Sequence, residues 1–203
     1  MNDAAVIGVL LAAGRGTRMG RVKQLVPVPA AKSQLPLVAA AFDSIAAFTD
    51  RMLVVVGFQR ASVIEALGTR RFQVVESSAD VDMAESFRAA MRQLGGDSQN
   101  HPREDVKILL QLGDHPRAAA ITLQQLLETS RQHPRRAILP RFQGRGGHPI
   151  LIPGGIAKML VNRPLAGGLK VFWQANPDRW TSIEVDDPGV TMNLNTPDDL
   201  RRL

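Results

Sequence analysis

The chain has 203 residues, 44% hydrophobic and 22% charged, a make-up that excludes disorder and suffices for one domain, 1–203, with a buried core. Cysteine is absent, which excludes disulfides, thiolate metal sites and a cysteine nucleophile. The net charge of +6 suits an anionic partner, but aromatics make up only 4% and there is no tyrosine, so a base-stacking surface for nucleic acid is not expected and an anionic small molecule is.

The first apolar run, "AVIGVLLA" (5–12), has an acid and no basic residue before it, and reads as a buried strand rather than a secretory leader. No stretch approaches the roughly 20 apolar residues a membrane helix needs, so no membrane partner is expected and the cytoplasm is the expected location. Directly after this run comes "GRGTRMGRVK" (14–23), in which Gly14, Gly16 and Gly20 alternate with Arg15, Arg18, Arg21 and Lys23. Glycines let phosphate approach main-chain N–H groups, and the cations neutralise it. Two familiar phosphate motifs fail here. Pro27 and Pro29 interrupt the helix that a dinucleotide fingerprint requires, and positions 32–42 hold no acid for a ribose. Gly20 is followed by Arg21 and Val22, not by the Lys-Ser/Thr of a P-loop. A triphosphate, with a charge of about −4, suits this many cations better than a pyrophosphate diester.

Further along, helical patterns at 35–48, 61–68, 83–96 and 121–133 alternate with apolar runs at 51–57, 72–77 and 106–113. Continuous apolarity rich in Val, Ile and Leu marks strands buried on both faces. Strand–helix alternation implies an α/β fold of three layers, with a mostly parallel sheet and helices on both faces. Strands are also expected at 137–142, 148–153 and 182–187, with a closing helix from Pro197. Ligands on such sheets bind beyond the carboxyl ends of the strands. There, "LGDHP" (112–116) places Asp114, either as a helix cap or as a carboxylate for Mg²⁺. In "VTMNLNTPDDL" (190–200), Thr196, Pro197, Asp198 and Asp199 read as a helix start. Asn193 and Asn195, two apart, project to one side of an extended segment as turn formers or oxygen ligands.

Together the three corners resemble one family. "LAAGRGTRMGRVKQ" (11–24) is similar to the opening signature of molybdenum-cofactor nucleotidyltransferases, and "LGDHP" to their G-D-x-P. "GRGGHPILIP" (144–153) resembles the R-G-H-P segment of the cytidylyl branch, and "VDDPGVTMNLNTPDDL" (185–200) the closing D-x-D-T-P-E-D-L region. The resemblance implies a single Rossmann-like domain. It implies nucleobase contacts from the backbone of Leu11, Ala12, Ala13 and Gly14. Arg18 and Lys23 would hold the triphosphate, in a loop shaped by Gly16 and Gly20, with Arg18, Lys23 and Asp114 as the catalytic set. Mg²⁺ would sit on Asp114 and Asn195, with Asn193 and His148 toward the acceptor. In "SADVDMAESFRAAM" (78–91), where the family helps choose the base, Asp82 stands in place of a Gly, while Met83, Ser86 and Arg88 match, which puts Ser86 in the nucleotide site. Both closing family aspartates are asparagines here. "LAAG" implies CTP.

The expected activity is therefore Mg²⁺-dependent transfer of a nucleotide from CTP to a phosphorylated small-molecule acceptor, molybdopterin, with release of pyrophosphate and a molybdoenzyme or chaperone as downstream partner. A sugar phosphate or phospho-acid acceptor with GTP, or a nucleotide-binding module without turnover, are the alternatives.

Overall fold

A computed structural model of the chain describes residues 4–14, 22–30, 34–78, 82–95, 102–162 and 168–200. The first expected strand forms β1 (Ala5–Ala12), an interior strand of the sheet. A 3-10 turn at Lys23–Leu25 leads into the hairpin β2 (Pro27–Pro29) and β3 (Gln34–Pro36), so the prolines that rule out a helix here sit in a two-stranded ribbon. Alternation follows as expected: α1 (Leu37–Ala46), β4 (Arg51–Val56), α2 (Arg60–Leu67), β5 (Gln73–Glu76), α3 (Met83–Gly95), β6 (Val106–Leu112) and α4 (Ala120–Gln132). Next come β7 (Ala137–Phe142), the two-residue β8 (Arg145–Gly146), β9 (Ile150–Pro153), α5 (Gly154–Val161), α6 (Gly168–Ala175), β10 (Trp180–Glu184) and the short closing α7 (Pro197–Leu200).

The main sheet has 8 strands, in the order β10-β7-β9-β6-β1-β4-β5 with β8 paired to β7. It is mostly parallel, but β9 runs antiparallel to both β6 and β7. The expected strand at 148–153 thus returns against its neighbours, which its apolar composition does not encode. The last sheet strand ends at Glu184, earlier than the expected 187, because Asp187 instead caps the 3-10 turn Pro188–Thr191.

Each buried strand feeds two cores. Ile7, Val9 and Leu11 of β1, with Leu53, Val55, Ile108 and Leu110, face α3, α5 and α6 through Phe87, Met91, Ile156, Leu160, Phe172 and Trp173. Leu10 and Ala12, with Val54, Val56 and Leu109, face α1, α2 and α4 through Val38, Phe42, Ile45, Val63, Leu67, Leu123 and Leu126. The period of two along a strand directs successive side chains to opposite faces, and the result is a helix–sheet–helix sandwich. No helix among the described residues is long and apolar enough to cross a membrane.

Strand order reverses beside β1: the chain leaves it toward β4 and β5, then returns to its other side as β6. In open α/β sheets this switch point leaves a crevice outside the carboxyl ends of the strands, since the connections depart to opposite faces.

Candidate active site

That crevice holds a cleft of about 240 Å³. One wall is the end of β1, with Leu11, Ala13 and Gly14, and the other is the end of β6, with Leu112, Gly113 and Asp114. Lys23, Gln24, Met83 and Ser86 complete it. The two strand tips are stitched together by Gly113 N–H donating to Leu11 O at 2.9 Å. A Cβ at Gly113 would lie 3.0 Å from that carbonyl, so glycine keeps this seam closed.

Three expected site residues meet here. The Lys23 ammonium donates to Asp114 Oδ2 at 2.9 Å and to Asn195 Oδ1 at 2.6 Å, although 91 and 172 residues separate them. Lys23 is buried, held in the 3-10 turn whose next residue, Gln24, donates through Nε2 to the carbonyls of Ala12 and Gly14. Gln24 was not singled out from the sequence; its only local signal is its place beside Lys23. Asp114 is no helix cap: its carboxylate faces the lysine, and its carbonyl accepts from Leu194 N–H at 3.0 Å.

The closing segment reaches the cleft through alternation. Leu194 is buried with Val28 and Leu37, which turns Asn195 the other way, toward Lys23. Asn193 is exposed, outside the cleft lining. Behind Asn195 the expected helix start forms. Asp199 Oδ2 accepts from the backbone N–H of Asn195 and of Thr196, each at 2.8 Å, and Asp199 N–H donates back to Thr196 Oγ1. This reciprocal pairing is the capping-box arrangement, with Asp in the acidic position.

Ser86 is buried at the far side of the cleft, its hydroxyl 3.3 Å from that of Ser77. Ala12 turns its side chain into the second core, and its carbonyl accepts from Gln24. Gly16, Arg18 and Gly20, along with Arg15 and Arg21, lie outside the described residues, as does the side chain of Asp198.

His148 lines a second, larger cavity of about 1050 Å³, which shares Met83 with the first. Arg145, Lys170, Trp173 and Trp180 also line it. The His148 ring stacks edge-on against His115, centroids 5.2 Å apart. Burial, reinforced by the neighbouring His115, pushes the His148 pKa down to about 4. Burial also lowers His115, against the pull of Asp114. Both rings are therefore neutral near pH 7. His115 Nε2 stands 3.8 Å from Asp114 Oδ1, too far for a hydrogen bond, so among the described residues Lys23 is the cation that balances Asp114.

Two more residues place the closing segment. A Cβ at Gly147 would fall 2.2 Å from Val190 O, so only glycine lets the 188–191 turn lie against the strand, where His148 N–H donates to Val190 O at 2.8 Å. Buried Asp187 accepts from Ala119 N–H at 2.7 Å, Thr122 Oγ1 at 2.9 Å and Gly189 N–H at 2.9 Å, tying that turn to the start of α4.

Lysine, carboxylate and amide thus meet beside a switch-point cleft, and the class of the protein follows from its family: it is a nucleotidyltransferase. Residues 8–190 match the MobA-like NTP transferase domain, and the chain belongs to that family. Nicotine blue oxidoreductase of Paenarthrobacter nicotinovorans is 27% identical over 209 residues, covering 98% of this chain and 96% of that protein. Rv0371c of Mycobacterium tuberculosis H37Rv is 25% identical with a TM-score of 0.76, covering 98% of this chain and 97% of the other, and is also known as a manganese complex. A nucleotidyl transferase of Methanothermobacter, Mth528, shares the fold with a TM-score of 0.78 at 24% identity, covering 98% and 95% of the two chains.

Proposed function

We propose that the enzyme uses CTP with Mg²⁺ and transfers the cytidylyl group to the phosphate of molybdopterin. The observation that carries this reading is the meeting of Lys23, Asp114 and Asn195 on one point beside the switch-point cleft. "LAAG" at 11–14 and the Gly-His-Pro at 147–149 favour the cytidylyl branch over its guanylyl relatives.

The residues fit a hard divalent cation. A carboxylate oxygen and an amide oxygen already converge on a single positive centre, the Lys23 ammonium, and Mg²⁺ commonly takes one or two protein oxygens alongside substrate phosphates. Manganese in Rv0371c supports a divalent ion in the family. Once bound to Asp114 and Asn195, such an ion would draw negative charge from the triphosphate oxygens.

The chemistry asks little else of the protein. A phosphate monoester has its second pKa near 6, so its oxygen is largely unprotonated at pH 7 and needs no base. That oxygen bonds to the α-phosphorus as the bond from α-phosphorus to its bridging oxygen breaks, and pyrophosphate leaves with the electron pair. Lys23, and Arg18 in the glycine loop, hold the triphosphate and neutralise the charge that grows on the leaving group. Gly14, Ala13 and Ser86 border the base. The acceptor enters from the larger cavity, past Met83, where His148 stays neutral and Arg145 and Lys170 meet its anionic end. Asn193, expected toward the acceptor, is exposed and lines neither cavity.

Pyrophosphate release, measured with each of the four ribonucleoside triphosphates, Mg²⁺ or Mn²⁺, and molybdopterin, tests the reading. Release that requires CTP, metal and acceptor together is expected. Release with GTP or a sugar phosphate alone would move the base or the acceptor. Oxidation of NADH or NADPH with no pyrophosphate from any nucleotide would overturn it, and would place the chain with the activity for which its Paenarthrobacter relative is named.

A further inference from the structure

The contacts of Lys23 have a consequence for how metal and nucleotide load. We infer that Lys23 is a resident counter-ion that keeps a lone divalent cation off Asp114 and Asn195 and yields the two oxygens only to a cation arriving with a triphosphate. This rests on the reading of these three residues as the metal–nucleotide site.

The charge balance carries it. The trio holds one carboxylate, one ammonium and one neutral amide. Nothing in it is left over to attract a free divalent ion, and no group of three or more His, Asp or Glu able to hold a metal occurs among the described residues. In the signature that the chain resembles, the closing positions are aspartates; with Asn193 and Asn195 in their place, the single lysine suffices to neutralise the site. A free divalent ion could take Asp114 only by displacing the ammonium.

The ammonium has little room to leave. Lys23 is 8% exposed, and its 3-10 turn is pinned through Gln24 to the carbonyls of Ala12 and Gly14. A displaced Nζ would stay within a few ångströms of the incoming charge, unpaired and poorly hydrated. A metal–triphosphate changes this, because its phosphate oxygens give Lys23 a new partner as the metal takes the old ones. Two ion pairs then replace one, with no cation stranded.

The prediction has opposite signs for two ligands. Removing the lysine charge tightens binding of the free ion and weakens binding of the nucleotide. A lysine that merely supported the fold would weaken both. Repulsion between a divalent ion and an ammonium a few ångströms apart is felt even at the dielectric of water, so Lys23→Met gains about tenfold or more in affinity for the lone ion.

Electron paramagnetic resonance of free Mn²⁺ reads this directly. Wild type, Lys23→Met, Lys23→Gln and Asp114→Asn are titrated with Mn²⁺ alone and with Mn²⁺ plus α,β-methylene CTP, with the GTP analogue in parallel, and circular dichroism checks that each is folded. Wild type is expected to bind Mn²⁺ at least tenfold tighter with the analogue than without it. Both lysine variants should bind Mn²⁺ alone about tenfold tighter than wild type, and Asp114→Asn should lose that binding. Wild type binding lone Mn²⁺ as tightly as it does with the analogue would overturn the inference, a result that needs no variant. Lysine variants that bind lone Mn²⁺ no tighter than wild type, while wild type binds Mn²⁺ with analogue, would also overturn it but leave the proposed function standing. Failure of wild type to bind Mn²⁺ with either analogue would instead remove the proposed function, and this inference with it.

Discussion

Asp114→Asn keeps the shape of the side chain and an oxygen for Lys23, and removes only the charge. At 2.9 Å the ammonium–carboxylate attraction is about 6 kcal/mol gross, taking an effective dielectric of roughly 20. Most of that is offset by the hydration both groups gave up. The Lys23 side chain keeps 10% exposure and that of Asp114 29%, so the pair is wetter than a fully buried one, whose disruption costs about 3–5 kcal/mol. A net loss of about 2 kcal/mol follows for Asp114→Asn, which strands the lysine. Lys23→Met strands only the better-hydrated carboxylate and costs about 1 kcal/mol. In the double variant no charge is stranded, and the cycle should return a coupling of about 1–2 kcal/mol. At roughly 2–4 °C per kcal/mol for a chain of this length, Asp114→Asn lowers Tm by roughly 4–8 °C in a thermal melt at pH 7.5. Pyrophosphate release should fall by about two to three orders of magnitude, as when a preorganised charge contact is removed. Additive Tm changes, within about 0.5 kcal/mol, together with retained turnover would refute both the pairing and its role.

Three further outcomes can be checked with the same melts and assay. Gly147→Ala drives a methyl toward Val190 O, 2.2 Å away, and should cost about 1–3 kcal/mol while weakening nucleotide binding through a displaced Asn195. A normal Tm with normal binding would detach the 188–191 turn from the site. Asp187→Ala leaves Ala119 N–H, Thr122 Oγ1 and Gly189 N–H without their acceptor and should cost about 2 kcal/mol or more, seen as an earlier transition. For His148, the native pKa of about 4 lies below the ordinary 6.5, so the unfolded chain binds the proton first. Its contribution is complete above pH 6.5 and is lost as pH falls toward about 4, by at most about 3 kcal/mol. Melts from pH 7.5 to 4.5 should therefore fall less steeply for His148→Gln than for wild type; identical slopes would refute a buried neutral imidazole.

Most of the sheet was legible because its strands are buried on both faces and read as unbroken apolar runs: 5–12 and 137–142 match β1 and β7 to the residue. The direction of β9 was not, since "ILIP" buries equally well either way up and only its hydrogen bonds distinguish the two. Helices α5 and α6 went unread. α5 opens on Gly154 and Gly155, which look like loop, yet a Cβ at Gly154 would meet Arg103 O at 2.1 Å, so the glycine marks a close crossing. In the site, residue chemistry alone left Asp114 balanced between cap and cation ligand. The fold removes the cap reading, because the carboxylate pairs with Lys23 from 91 positions away. Asn195 separated from Asn193 once Leu194 was seen to be buried, because alternation then gives each neighbour its side. Gln24 and Asp187 act on backbone groups, and for Asp187 the partner at Ala119 is 68 residues distant. No local pattern records such a bond; only the closed fold does.

Lys23 meets Asp114 and Asn195 across 91 and 172 positions, so the cluster exists only once distant parts of the chain have closed on one another. Without the extended segment of Leu194 and Asn195, the walls of the crevice from β1 and β6 would remain, but one of the two oxygens that hold Lys23 would be lost.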